Sequence, residues 1–116
     1  MSSLTPPAFW ILTSLAGGRR HGYEILRETT TESGGRVSLK ATTLYAALDR
    51  LEREGLVASD GDEVVNGRAR RYFRITESGA GRLQREVELI ERSAQAARAR
   101  LSAGEAAPAT PRIVVA

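Results

Sequence analysis

The stretch from Lys40 to Val57 limits the fold more than any other part of the chain. Leu44, Ala47, Leu48 and Leu51 recur at i, i+3, i+4 and i+7, which is one face of an α-helix. The opposite face carries Thr42, Ala46, Asp49 and Arg53, with Arg50 to one side. Gly55 follows a last turn of mixed charge and suits the left-handed position just past a helix end. Leu56 and Val57 come directly after it, so the pattern predicts a helix running without a linker into a strand. A helix that is apolar on one side and small, hydroxylic and basic on the other can pack on a core and still enter a DNA groove.

The segments on either side repeat this logic. Thr5 before Pro6 and Pro7 is a helix-start signal, because proline lacks an N–H where none would be paired. The first helix is expected over Ala8 to Ala16, with Ala8, Ile11, Leu12 and Leu15 inward and Phe9 and Trp10 widening that face. Gly17 and Gly18 end it. A second helix is expected from Gly22 to about Glu32, with Ile25, Leu26 and Thr29 inward. The run Thr29 to Thr31 is a poor helix former, since β-branching restricts χ1. Gly34 and Gly35 break the chain, and Arg36 to Leu39 alternates polar and apolar as a very short strand would.

Leu56 to Ser59 reads as a strand and Asp60 to Gly67 as a polar connection containing the hairpin signal Asn66-Gly67. Arg70 to Ile75 is the return strand, with Arg70 and Tyr72 on one face and Arg71, Phe73 and Ile75 on the other. Thr76 then caps a long helix over 77–101. Along it Leu83, Val87, Ile90, Ala94, Ala97 and Leu101 are spaced alternately by four and three, a heptad seam suited to a partner helix. Residues 102–116 are rich in Ala, Gly and Pro and read as a disordered tail. Ile113-Val114-Val115 within them is a small apolar patch. The expected fold is thus mainly α with a small two-stranded β-wing: a winged helix-turn-helix over 4–76, a dimerisation helix over 77–101 and a tail over 102–116.

Composition narrows the function. The chain has 116 residues, enough for one modest domain, and no cysteine. Disulfides and thiolate metal sites are excluded, and a reducing cytoplasm is compatible. No run approaches the roughly 20 apolar residues of a membrane span. The net charge of +3 is slight, but Arg68, Arg70, Arg71 and Arg74 fall close together with no acid among them. No nucleophile stands at a sensible spacing from a base, and the glycine pairs are helix breaks rather than phosphate loops. An enzyme is therefore not expected, nor is a cofactor.

Three motifs carry a resemblance. Leu15 to Ile25, with Gly17-Gly18 and His21-Gly22-Tyr23-Glu24, resembles the first half of the PadR-like transcriptional regulator domain. Thr43 to Val57 resembles its recognition helix. Arg70 to Gly79 resembles its return strand and the start of its last helix. The resemblance covers about Leu4 to Leu101 and is to the compact branch with one C-terminal helix. It implies a homodimeric, usually repressing transcription factor with pseudo-palindromic double-stranded DNA operators and, often, release by a small-molecule effector. Lys40-Ala41-Thr42 and Arg19-Arg20 depart from the usual family residues at their positions.

Lys40, Thr42, Thr43 and Arg50 are the candidates for DNA contact on the third helix, where first-turn side chains and free N–H groups meet phosphates or base edges. Arg68, Arg70 and Arg71 are the candidates on the wing. For both sets the competing role is a solvated surface with ordinary charge pairs, such as Asp49 with Arg53. Tyr23 is a further phosphate candidate implied by the resemblance. Tyr45 is expected to pack between helices with its hydroxyl outward. His21, the single histidine, suits a structural or capping role better than a metal site, and no metal ligand set is assigned. Phe9 and Trp10 are candidates for an effector pocket, with plain packing as the alternative. A protein-interaction module that kept this fold without DNA binding is the second reading, given room by Asp60, Asp62 and Glu63 beside the wing.

Overall fold

A computed structural model describes residues 4–106, and of Ala106 only the backbone. Its order is α1 (Pro6–Ala16), β1 (Arg20–His21), α2 (Gly22–Glu32), α3 (Ala41–Arg53), β2 (Val57–Val65), β3 (Arg68–Ile75) and α4 (Glu77–Ala106). The chain forms two compact units that divide between Glu86 and Val87, inside α4 rather than at its start.

Local chemistry places the helix ends. The Thr5 hydroxyl accepts from the Ala8 N–H at 3.3 Å, and Pro6 opens α1 two residues earlier than the apolar pattern predicts. His21 and Glu24 form a reciprocal capping box at the start of α2, so the histidine has the capping role. α2 runs through Thr29–Thr31 to Glu32 despite their weak propensity. Burial outweighs it: Ile25 and Thr29 are fully inside, and the Thr30 hydroxyl bonds back to the Leu26 carbonyl at 3.2 Å. Lys40 stands at the N-cap of α3 with no side-chain cap. The Thr76 hydroxyl accepts from the Gly79 N–H at 3.0 Å and donates to the Gly55 carbonyl at 2.6 Å, which ties the start of α4 to the end of α3.

One core serves the first unit. Ile11, Leu12 and Leu15 of α1, Ile25 of α2, and Leu44, Leu48 and Leu51 of α3 meet Leu56, Val57 and Phe73. These are the faces that periodicity selects. Gly79 lets α4 approach closely, because a Cβ there would collide with the Leu56 carbonyl.

The sheet corrects three expectations. It has three antiparallel strands in the order β1-β3-β2, with Arg20 opposite Phe73 and His21 opposite Tyr72. The third strand is two residues long, too short for any alternation to announce it. Arg36–Leu39 forms no strand. β2 continues through the polar Asp60–Val65 instead of ending at Ser59, with an irregularity between Ser59 and Asp62. Both its faces there are solvated, so polar side chains cost it nothing. Asn66 and Gly67 both have positive φ, 52° and 75°, as a primed hairpin turn requires.

Ser102–Ala106 continue α4 rather than beginning a tail. Ala, Glu and Ser tolerate a helix that is already nucleated. The rest of the expected tail, with Ile113-Val114-Val115, lies outside the described residues.

Candidate nucleic-acid interface

α3 presents its first turn to solvent. Lys40, Thr42 and Thr43 are exposed, while Leu44 and Leu48 hold the other side in the core. Arg50 is exposed two turns further on. Asp49 and Arg53 do pair, at 3.2 Å, and both remain in solvent. Such a pair contributes at most about 1 kcal/mol.

Beside α3, the start of α2 and strand β3 enclose a cavity of about 170 Å³. It is lined by His21, Gly22, Tyr23, Tyr45, Arg68, Ala69, Arg70 and Arg71. Three elements far apart in sequence supply it, and each local reason is visible. Gly22 has no side chain because Tyr45 occupies the space: a Cβ at this position would collide with the Tyr45 hydroxyl and ring. Tyr45 thereby rests on the helix α2 backbone and stays 46% exposed. His21 Nδ1 accepts from the Glu24 N–H at 3.3 Å. The N–H groups of Gly22 and Tyr23, at the first two helical positions, have no acceptor within the helix. A helix start of this kind favours an anion.

The three wing arginines have different surroundings. Arg68 stands exposed beside the turn, opposite Val65. Arg70 is half-buried, 5.8 Å from the Tyr23 ring centre, and its Nε is buried with no partner among the described residues. Arg71 points to the other face, 5.0 Å over the Phe73 ring. There it pairs with Glu52 at 3.2 Å and donates to the Ser59 hydroxyl at 2.6 Å. Arg71 thus fastens the wing to α3. Tyr23 is 57% exposed, with Arg27 5.5 Å from its ring centre.

Two arginines that the sequence marks only as departures from the family organise this region. Arg19 stacks on Tyr72 at 3.8 Å, pairs with Asp60 and Glu63 at 3.3 Å each, and donates to the Asp60 carbonyl. It takes up two of the acids beside the wing. Burial raises the Tyr72 hydroxyl above its usual pKa, helped by a hydrogen bond to Glu63 and the nearby Glu63 and Glu24 carboxylates, with Arg19 opposing. Arg20 pairs with Glu28 at 3.0 Å and donates to the Ser14 carbonyl, while the Ser14 hydroxyl donates to Glu28. No pattern in the chain signals these contacts, because each joins segments brought together only by folding.

The other candidates lie elsewhere. Phe9 and Trp10 meet edge to face, 5.1 Å between ring centres, and line neither this cavity nor the larger groove on the opposite flank of α3. Leu83, the first residue of the expected seam, packs on the core of the first unit. In the second unit Ile90 and Leu101 are 47% and 70% exposed, and Ala94 and Ala97 are open to solvent. Among the described residues no group of three His, Asp or Glu could hold a metal, and no helix is long and apolar enough to cross a membrane.

Known proteins resemble this chain in sequence and fold. A regulator from Mycobacterium tuberculosis, Rv3488, is 39% identical over 85 residues, 73% of this chain and 76% of its own. An uncharacterised protein from Lysinibacillus sphaericus is 35% identical over 69 residues, 60% of this chain and 63% of that protein's length. The structure of Bacillus subtilis PadR in complex with operator DNA superposes with a TM-score of 0.62 at 25% identity, over 69% of this chain and 46% of that one. Residues 11–85 match the family described as "Transcriptional regulator PadR-like family". With that match spanning more than half its length and a winged helix as its fold, the chain belongs to the PadR-like family of transcriptional regulators.

Proposed function

We propose that this PadR-family regulator binds double-stranded DNA sequence-specifically, as a homodimer acting as a repressor in the cytoplasm. The observation that carries the reading is the cavity between α2, α3 and the wing, where Tyr23, Tyr45, Arg68 and Arg70 surround a helix start. Two hydroxyls, two guanidinium groups and free N–H donors are what a phosphodiester oxygen needs. Arg70 Nε, buried and unpartnered, gains an acceptor when a phosphate arrives.

Lys40, Thr42, Thr43 and Arg50 would lie against base edges and flanking phosphates as α3 enters the major groove. Arg68 and Arg70 would anchor the wing. Arg71 acts at one remove, by holding the wing against α3 through Glu52. The seam of half-buried Val87 and exposed Ile90, Ala94, Ala97 and Leu101 would join two copies, which suits a pseudo-palindromic operator. Binding of operator DNA by Bacillus subtilis PadR supports the reading. The rival module without DNA binding drew on the acids beside the wing, and Arg19 engages two of those acids.

Footprinting on the DNA upstream of its own gene tests this. A protected pair of half-sites about one helical turn apart is expected. Arg70→Ala should weaken binding to every duplex alike, by about tenfold for a lost charged contact. Absence of any footprint at micromolar dimer would sink the reading.

A further inference from the structure

Glu63 of β2 stands directly opposite Arg70 of β3. Side chains so placed share one face of the sheet, their Cβ atoms roughly 4.5–5.5 Å apart, and an acid and a base there ordinarily pair. Here Arg70 Nε is buried with no hydrogen-bond partner among the described residues, and Glu63 is engaged elsewhere. Its carboxylate accepts from Arg19 Nη1 at 3.3 Å and from the Tyr72 hydroxyl. Arg19 is itself fixed by three further contacts. Its guanidinium lies 3.8 Å from the Tyr72 ring centre and pairs with the Asp60 carboxylate at 3.3 Å. From Nε and Nη2 it donates to the Asp60 carbonyl at 3.1 and 3.0 Å. That carbonyl lies where the β2–β3 register shifts, between Ser59 and Asp62, next to Gly61 with its φ of 83°.

We propose that Arg19 is a positioning residue for the wing: by holding Glu63 it keeps the Arg70 guanidinium open to a phosphate. Arg70 lines the cavity at the start of α2 with Tyr23, Tyr45 and Arg68. A Glu63 carboxylate turned onto Arg70 would cancel its charge and occupy the donors that a phosphodiester oxygen needs. Arg19 wins the carboxylate because its own side chain is already ordered. Tyr72 stacks on the planar guanidinium and Asp60 takes its other edge, so little more rotamer freedom is lost when Glu63 joins. An ion pair this open to water adds little stability. What it decides is which of two arginines is left with a free donor. The consequence for duplex binding rests on the DNA-binding reading; the choice of Glu63 between Arg19 and Arg70 does not.

The test follows binding of the full chain to a labelled duplex from upstream of its own gene by fluorescence anisotropy. Arg19→Met keeps a stem over the Tyr72 ring but no charge. It should weaken binding to every duplex about tenfold and lower the log–log salt slope by about 2, one phosphate contact per subunit. Adding Glu63→Gln to it should restore binding to within about threefold of the parent. Arg19→Met placed on Arg70→Ala should cost nothing further, because both act through one contact. Glu63→Gln alone, at an exposed strand position, should also stay within about threefold of the parent. A gain of about tenfold there would mean that Glu63 already occupies Arg70, and would overturn the proposal. So would a double variant as weak as Arg19→Met, the mark of an Arg19 that only supports the fold or touches phosphate itself. Losses of Arg19→Met and Arg70→Ala that add in full would overturn it too. A second readout needs no DNA. The Arg70 Nε–H resonance of the free chain should move in Arg19→Met and return in the double variant; one unmoved by Arg19→Met would overturn the proposal. If that resonance moves and no chain binds duplex, the DNA reading fails and the hold on Glu63 stands.

Discussion

The two units of this chain handle their apolar residues in opposite ways. Up to Glu86 most of the large ones are inside: Ile11, Leu12 and Ile25 expose nothing and Phe73 only 1%, and the exceptions, Tyr23, Tyr45 and Val64, stand at the candidate interface and on the wing. Beyond Val87 they are outside, with Ile90 and Leu101 about half and more than two-thirds exposed. The first unit finishes its own core. The second is a bare helical segment, and such segments owe most of their stability to packing against something else. The contrast is the physical basis for assigning the seam to a second copy.

The contrast can be broken by mutation. Phe73→Ala should cost the first unit about 3–5 kcal/mol, as for other buried aromatic truncations, read from urea unfolding of the full chain. A loss below about 1 kcal/mol would mean that the core is less complete than it looks. Ile90→Glu combined with Leu101→Glu should leave the fold of the first unit intact but weaken self-association by about a hundredfold or more, each side chain contributing roughly 1.5–3 kcal/mol when buried. Sedimentation across a concentration series checks it, and an unchanged mass would remove the seam from the interface.

A smaller effect sharpens the picture within the first unit. The Thr29 hydroxyl is buried with no partner among the described residues. Thr29→Val should therefore stabilise by about 1 kcal/mol, since an unpaired buried hydroxyl is a cost rather than a contribution. A destabilised variant would point to a partner for that hydroxyl. The smallest effect is at Tyr72. Its pKa is raised in the folded state, so the folded chain holds that proton more tightly than the unfolded one. The associated stability is present below the ordinary tyrosine pKa near 10 and falls as pH rises from there through the folded value. Tyr72→Phe should flatten that alkaline decline, and an identical decline would rule this hydroxyl out as its source.

Much of the fold could be read from the chain because local chemistry and tertiary packing agree there. Leu44, Leu48 and Leu51 announce both a helix and its buried face; Asn66-Gly67 announces the hairpin; His21 fits a structural or capping role, and the fold makes it the cap. What stayed hidden depends on distant partners. β1 exists because Arg20 and His21 meet Phe73 and Tyr72, and two residues carry no period. The divergence of Arg70 and Arg71 follows from strand alternation, but the Glu52 and Ser59 that receive Arg71 are supplied by α3 and β2. Gly22 reads as a helix start; only the fold reveals that it makes room for Tyr45. The groove beside Arg50 is lined in part by Ala8, Ala46 and Ala47, which in sequence look like ordinary helix formers.

The central claim is that paired cationic surfaces, each formed by α2, α3 and the wing, hold a duplex through its phosphates. The most direct measurement is the salt dependence of binding to upstream duplex, for the parent chain and for Arg70→Ala. If each dimer neutralises roughly 6–8 phosphates, the log–log slope should be about −5 to −7, and the variant should lose about 2, one per subunit. A slope near zero, or one that Arg70→Ala leaves untouched, would contradict the account.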